Sequence, residues 1–162
     1  MAAGRLGTFN DTRLTAPEIN EILARHGYRA THPRQAVIGA MLRRPRSFTA
    51  EQIVNDVETS TPKLGRATVY RTLEILASLD ILTRVFQPDG QPAYVVGVPG
   101  HRHHLLCSSC GTAIAFTSCP VDALVQDLTA STDFSIHGHL LQVYGLCPSC
   151  QPPAAQVHSG PS

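Results

Sequence analysis

The sequence lacks several features that would assign it to common classes of protein. No apolar run approaches the roughly 20 residues that a membrane-spanning helix needs. Its first eighteen residues contain no apolar core of signal-peptide length. We therefore expect a cytoplasmic protein without a membrane partner. With 162 residues, of which 43% are hydrophobic and 15% charged, the chain has a globular composition and room for one ordinary domain or two small ones.

Net charge is also nearly absent, at +1, but the charges are unevenly distributed. Residues 1–90 contain 12 Lys and Arg against 9 Asp and Glu, whereas residues 91–162 contain one Arg against three Asp. The modest positive excess therefore lies in the first half, where it would favour a nucleic-acid partner.

Cysteine is missing from the first hundred residues, whereas all five Cys and six of the eight His follow them. This change of composition predicts a domain boundary in the Pro- and Gly-containing stretch 88–100. We predict four parts: a flexible arm at 1–14, a first domain at 15–96, a second domain at 97–150 that contains the candidate metal ligands, and a disordered tail at 151–162.

Hydrophobic periodicity predicts four helices in the first half, followed by a β-hairpin. The helices are one capped by Thr15 and Glu18, one after Thr31, one capped by Thr49 and Gln52, and one over Arg66–Leu79. The hairpin comprises 83–86, a turn at Pro88-Asp89-Gly90, and 93–96. This order is that of a winged helix-turn-helix, in which the fourth helix enters the major groove and the hairpin is the wing.

The second half predicts a small α/β unit, so the fold class is α+β. Its predicted elements are strands at 104–106 and 112–116, a helix at 120–128 and a strand at 136–146.

Two Cys-x-x-Cys turns carry the strongest chemical signal in the chain. They place Cys107 with Cys110 and Cys147 with Cys150. Two such turns complete a tetrahedral Zn²⁺ site, and four thiolates leave no open position, so we expect a structural zinc. The alternative is a redox-active dithiol.

Histidines precede both cysteine pairs. His101 and His103 would share a face if their segment is a strand, and His139 precedes the second pair. Asp122, on the predicted intervening helix, is the best-placed carboxylate to join them. This set, with His104 as a further candidate, predicts a second, regulatory site for Zn²⁺, Fe²⁺ or Mn²⁺.

The fourth predicted helix carries a polar face suited to reading bases and gripping phosphates. On the wing, Arg84 is predicted to lie near the phosphate backbone. The DNA-contacting residues on the helix are predicted to be Arg66, Thr68, Tyr70 and Arg71.

Three motifs resemble those of the ferric uptake regulator family over residues 14–150. They are Ala67-Thr68-Val69-Tyr70-Arg71-Thr72-Leu73, then His103-His104-Leu105-Leu106-Cys107-Ser108-Ser109-Cys110-Gly111, and finally His139 with Gly145-Leu146-Cys147-Pro148-Ser149-Cys150. The resemblance implies a homodimeric repressor that binds palindromic, AT-rich operators of metal-homeostasis genes when a divalent metal is loaded. By position, it also implies the same zinc ligands, the same regulatory set and a DNA-contacting role for Tyr70 and Arg71.

The chain departs from the family at an implied inter-domain metal site. The corresponding positions read Ser47 or nearby, Val95 or Gly97, Arg102 and His104, so only His104 could be a ligand. Either sensing has moved to the regulatory set above, or His26, His32 or Cys119 substitutes. In the second strand of the wing the family usually has an acidic residue or a Cys, whereas this chain has Val95 or Gly97. The absence of that ligand, together with the closing Cys-Pro-Ser-Cys pair, favours a zinc uptake regulator, with iron or manganese as alternatives.

Two readings from other classes compete with a regulator. A zinc hydrolase or nucleobase deaminase needs an open metal position and a general base, usually Glu. No Glu follows Glu74, so we predict that the protein is not an enzyme. A zinc-ribbon interaction module would leave the polar helix without a role.

Overall fold

The computed structural model describes residues 13–152, so most of the predicted arm and tail lie outside the described part. The helices are α1 Ala16–Arg25, α2 His32–Leu42, α3 Ala50–Ser60, α4 Arg66–Ser78 and α5 Asp122–Ser131. The strands are β1 Leu82–Phe86, β2 Pro92–Val96, β3 His103–Cys107, β4 Ala113–Phe116 and β5 Gln142–Gly145.

Local sequence signals set where the first helices begin. At α1, the Glu18 carboxylate accepts a hydrogen bond from the Thr15 backbone N–H at 2.7 Å. At α3, the Thr49 hydroxyl accepts from the Gln52 N–H at 3.2 Å, and the Gln52 side chain accepts from the Thr49 N–H at 3.0 Å. Both predicted capping boxes are confirmed, because these contacts satisfy N–H groups that the helix itself leaves unpaired.

The apolar faces of α1 to α4 meet in one core. Ile19, Ile38, Ile53 and Leu76 are fully buried there, one from each helix. The hairpin closes this core, since Phe48 and Tyr94 exchange backbone hydrogen bonds of 3.0 and 2.7 Å. Close packing of this kind fixes α4 relative to the hairpin.

Strands β1 and β2 form the predicted antiparallel hairpin, with Leu82 opposite Val96 and Phe86 opposite Pro92. Its turn uses Gly90 at φ 82°, a conformation that favours glycine. Helices α1 to α4 followed by this hairpin confirm the winged helix-turn-helix order.

The second half is a three-stranded sheet in the order β4-β3-β5. Strand β3 pairs with β4 in antiparallel and with β5 in parallel fashion. Helix α5 has no buried residue within the described chain. This sheet and helix confirm the α+β fold class.

Two predicted elements in this half have the wrong bounds. The helix begins at Asp122 rather than Pro120, and its first intrahelical hydrogen bond runs from Val125 N–H to the Val121 carbonyl. The final strand begins at Gln142 rather than Ile136, because β3 offers partners only to residues 142–145. His139 therefore lies in an irregular segment, and His101 precedes β3 rather than lying on it.

The two halves touch at a small second core, at one turn, and at the end of β1, where Tyr144 Oη of β5 donates to the Phe86 carbonyl at 2.8 Å. Val85 and Ala93 of the hairpin pack against Leu106 of β3. The Ser47 N–H donates to the Gly111 carbonyl at 3.0 Å. Gly111 has φ 73°, and a Cβ there would lie 3.0 Å from the Ser47 hydroxyl, so a larger residue would disturb the junction.

Among residues 13–152, the structure contains no helix with the length and apolar character that a membrane crossing requires.

Candidate metal centres and DNA-binding helix

The two Cys-x-x-Cys turns converge as predicted. The Sγ atoms of Cys107, Cys110, Cys147 and Cys150 all lie within 4.8 Å of one another, and we call these residues the cysteine cluster. The Cys110 and Cys147 sulfurs are 3.7 Å apart. Tetrahedral Zn²⁺ with Zn–S bonds of roughly 2.3 Å places its sulfurs about 3.8 Å apart, so the cluster fits zinc.

The electrostatics of the cysteine cluster also favour a cation. Backbone N–H groups of Cys147 and Cys110 donate to the Cys107 sulfur and lower the pKa of that thiol to about 6. The neighbouring Cys150 side chain, together with burial, raises the pKa of Cys147 to about 11. Four sulfurs this close cannot all ionise easily, because neighbouring thiolates repel one another. A bound divalent cation stabilises the thiolates and offsets this repulsion.

A second group of possible ligands lies at the other end of β3. Nitrogen or sulfur atoms of His101, His103, Cys119 and His139 lie within 4.8 Å of one another, and we call these residues the histidine cluster. The Cys119 Sγ is 3.2 Å from His139 Nε2. Centroids of the His101 and His103 rings are 4.7 Å apart, and those of His101 and His139 are 4.9 Å apart.

Within the histidine cluster, His103 is buried and its Nε2 has no hydrogen-bond partner among residues 13–152. Burial is the main cause that lowers the pKa of His103, and the neighbouring His101 and His139 rings add to it. A buried neutral imidazole with a free nitrogen is a ready metal ligand, because binding would satisfy the unpaired atom.

Asp122, expected among these ligands, is not one of the four residues that converge. It begins α5 and lies beside Cys119, whose pKa it raises through a hydrogen bond. Asp122 stays beside the cluster, because its charge also acts on His103, where it opposes the lowering of the pKa. Sequence reasoning had named Cys119 only as a substitute at a different, inter-domain site, because no spacing rule links it to His139 across 20 residues.

His104 alternates with His103 along β3 and lies outside the histidine cluster. It lines a cavity between the two halves, together with Arg102. Burial, followed by the charge of Arg102, lowers the pKa of His104 to about 4. The guanidinium places a positive charge beside the one histidine, and no Cys, Asp, Glu or second His is among the residues that line this cavity.

The DNA-binding candidates lie on the exposed side of α4 and on the wing. Tyr70 Oη donates to Glu51 Oε1 at 2.6 Å, and Arg66 bonds both oxygens of the same carboxylate at 2.6 and 2.7 Å. Arg71 is exposed, whereas Thr68 is half-buried. Sequence analysis did not single out Glu51, which is on α3 and holds two of the predicted contact residues in place.

On the wing, Arg84 is exposed and its guanidinium carbon lies 5.9 Å from the centre of the Tyr94 ring. This distance is within the range of a cation–π contact. The charge is therefore held on the hairpin surface and remains accessible to an anionic partner.

Comparison with known proteins agrees with this geometry. The sequence model of the ferric uptake regulator family matches residues 25–144. The chain belongs to this family. Ferric uptake regulation protein 2 of Mycolicibacterium fortuitum is 31% identical to it over 140 residues, 84% of this chain and 94% of that protein. The ferric uptake regulation protein of Campylobacter jejuni is 27% identical over 139 residues, 85% of this chain and 88% of that protein.

A solved structure of a zinc uptake regulator complexed with zinc and DNA shares the fold. Its TM-score is 0.70 at 22% identity, over 83% of this chain and 91% of that chain. As a member of the ferric uptake regulator family, the protein is a metal-responsive, DNA-binding transcriptional repressor and not an enzyme. Its cysteine cluster and its histidine cluster are the groups among residues 13–152 that could hold metal ions.

Proposed function

We propose that this family member senses zinc at the histidine cluster and, as a homodimer, represses metal-homeostasis genes through palindromic, AT-rich operators. The observation that carries the proposal is the convergence of three imidazoles and one thiol on a point beside the buried His103. In the same proposal, the cysteine cluster holds the structural zinc.

The composition of the histidine cluster favours zinc over the other candidate metals. Imidazole suits several transition metals, but a thiolate shifts preference towards softer ions such as Zn²⁺ and away from Mn²⁺, which prefers oxygen. Asp122, the carboxylate that we predicted here, hydrogen-bonds Cys119 and is not among the four groups that lie within 4.8 Å of one another, although its charge acts on His103. Three nitrogens and one sulfur also match the four-coordinate geometry that zinc adopts.

The two clusters differ in a way that suits separate roles. Four thiolates bind zinc more tightly than a set with neutral imidazoles, so the cysteine cluster stays filled while the histidine cluster exchanges metal. Exchange at cellular concentrations is what a sensor requires.

The histidine cluster is well placed to control the arrangement of the two halves. His101 lies in the segment 97–102 that joins the wing to β3, while Cys119 and His139 come from segments preceding α5 and β5. Metal that draws these segments together would restrict the connection to the wing. Preferential binding to the DNA-competent arrangement would then shift the population towards it.

Homodimerisation is supported by apolar side chains that the second half leaves exposed. Phe134 is 78% exposed and Leu140 66%, both in the segment between α5 and β5, and α5 itself exposes Leu124 and Leu128. An exposed apolar surface of this kind indicates a protein interface. A twofold dimer would present two copies of α4 to the two halves of a palindrome.

The test is metal-resolved DNA binding. An operator would first be selected from a random duplex library with zinc-loaded protein. Protein dialysed to retain only the tightly bound zinc would then be titrated with buffered Zn²⁺, Fe²⁺ under anaerobic conditions, and Mn²⁺. We expect Zn²⁺ to induce operator binding at the lowest free concentration.

Variants separate sensing from structure. His103→Ala and Cys119→Ser should each abolish or strongly weaken the response to Zn²⁺ while keeping one zinc per protomer and the dimer. His137→Ala is the matched control, since His137 is exposed and lies outside both clusters. A Cys119→Ser protein with an unchanged Zn²⁺ response, or a wild type that responds first to Fe²⁺ or Mn²⁺, would contradict the proposal.

A further inference from the structure

A cavity of about 50 Å³ lies between the helical half and the sheet. Arg46 reaches it from the loop after α2, Arg13 from the start of the described chain, Arg102 from the linker, and His104 from β3. A single water needs roughly 10–15 Å³ measured in this way, so the cavity has room for a few waters or one small polyatomic ion.

The lining of this cavity is strongly positive. Three of its ten residues are arginines and none is acidic. Among residues 13–152, none of the three guanidiniums lies within 4.0 Å of a carboxylate oxygen. Arginine remains charged at any physiological pH, so these charges persist under all cellular conditions.

Arg102 is the best-defined member of the set. One terminal nitrogen donates to the Asp80 carbonyl at 3.1 Å, and the guanidinium packs so closely on Gly97 that a Cβ there would lie 2.3 Å from a guanidinium nitrogen. Its Nε is buried and has no hydrogen-bond partner among the described residues. A half-buried cation with an unused donor is unfavourable unless an anion compensates it. The charge of Asp80 does so only in part, because burial still lowers the pKa of Arg102.

We propose that this cavity binds one small inorganic oxyanion, of the phosphate or sulfate type, between the guanidiniums of Arg102, Arg46 and Arg13. The planar, multidentate donors of arginine match the oxygens of such an ion. The cavity volume excludes large polyanions. His104, buried beside Arg102, also lines this cavity.

Oxyanion binding would link the two halves, because its ligands come from both sides of the junction. An ion held by Arg46 and Arg102 favours the arrangement in which these side chains face the same cavity. The protein would then have a second input, independent of the histidine cluster, that stabilises one arrangement of the DNA-binding half.

The experiment uses the full chain with its structural zinc retained. Potassium phosphate and potassium sulfate would be titrated in a chloride buffer at constant ionic strength, followed by calorimetry and by ³¹P line broadening. We expect saturable binding at one ion per protomer, with a melting temperature that rises with phosphate but not with matched chloride.

Two substitutions test the assignment of the ligands. Arg102→Gln and Arg46→Gln should each weaken phosphate binding about tenfold or more, since each removes charge-assisted hydrogen bonds. Arg46 is exposed, so its variant stays informative even if Arg102→Gln fails to fold. Arg43→Gln is the control, because Arg43 is exposed nearby, carries the same charge and does not line the cavity.

Three results would overturn the proposal. The first is equal stabilisation by phosphate and chloride, and the second is an Arg43→Gln protein that loses as much phosphate affinity as Arg46→Gln. The third is a wild type that binds no free phosphate while Arg102→Gln lowers affinity for duplex DNA, which would assign the charges to the DNA backbone.

Discussion

The helical half and the sheet half of this protein differ in how their side chains are buried. Helices α1 to α4 share one core in which residues such as Ile38 and Leu76 have no exposed surface. In the second half, α5 buries nothing, and Leu106 contributes to a cluster of only three buried residues. The same region contains both groups of residues that converge as metal ligands.

This difference indicates that metal binding would stabilise the sheet half as apolar packing stabilises the helical half. Small units bury too little apolar surface to be stable alone, and a structural metal or a partner chain usually compensates. The helical half therefore has a core of its own, whereas the proposed function makes the sheet half dependent on zinc in the cysteine cluster and on a dimer partner. We therefore expect metal removal to destabilise the sheet half more than the helical half.

The largest expected effect is that of removing a ligand from the cysteine cluster. Structural zinc contributes an apparent free energy of about 10–16 kcal/mol in small zinc domains, so Cys150→Ser should release the tightly bound zinc and unfold the sheet half. Helices α1 to α4 should remain folded. Elemental analysis and residue-resolved hydrogen exchange would measure both outcomes.

Cys119→Ser is the control for that experiment, since it removes a thiol outside the cysteine cluster. It should keep the tightly bound zinc and the protection of β3. If Cys150→Ser keeps its zinc and its melting temperature, the sheet half does not depend on the metal, and the contrast between the two halves is wrong.

Truncating a side chain in the helical core should destabilise the helical half and leave the bound zinc in place. Leu73 is 1% exposed, and replacing a buried Leu with Ala typically lowers the free energy of unfolding by about 2–5 kcal/mol. We expect Leu73→Ala to reduce the stability of the helical half in urea while zinc stoichiometry stays unchanged. Leu79→Ala, at a half-buried position, should cost less. Loss of zinc from Leu73→Ala would show that the halves unfold together.

The helical half was easier to predict from the sequence than the sheet half, because its elements depend on local signals. Capping residues such as Thr49 and the apolar spacing of α4 are local signals. They placed the start of each of the first four helices, and both ends of α4, within a residue or two of the observed bounds. The cysteine cluster was also predictable, because two Cys-x-x-Cys turns carry their own geometry.

What the sequence did not reveal depends on contacts between distant segments. His139 was expected on a strand, but β3 pairs only with residues 142–145 and leaves it in an irregular segment. That segment brings His139 to Cys119, which no periodicity predicts. Likewise, Glu51 belongs to α3, and its contact with Tyr70 on α4 follows only from the packing of the two helices.

A smaller effect is expected from the exposed face of α4, where the change should concern DNA alone. Tyr70→Ala should weaken operator binding by about 1–3 kcal/mol, and more than it weakens binding to random DNA, if the ring reads a base. Zinc content and the metal response should not change. Competition binding on the selected operator and on a scrambled duplex measures the difference.

Tyr70→Phe separates the ring from its hydroxyl, which donates to Glu51. Because Glu51 also pairs with Arg66, the Phe variant should keep most of the specificity if the ring makes the contact. Equal losses on operator and scrambled DNA for Tyr70→Ala would contradict a base-reading role and leave Tyr70 a structural part of the α3–α4 contact.

The smallest effect is predicted at the wing, where the helical half meets the sheet half. Arg84 is exposed on β1 and rests near the Tyr94 ring, so its charge is free to approach a phosphate. Arg84→Ala should reduce the slope of log affinity against log salt by about 1, with the loss greatest at low salt and equal on operator and random DNA. Arg84→Lys should retain most of the slope, because a phosphate contact needs the charge more than the guanidinium geometry.

An unchanged affinity at low salt would remove Arg84 from the DNA contact surface. A change in the Zn²⁺ concentration needed for operator binding would instead mean that the wing transmits the metal response, and that the two halves are less separate than their cores indicate.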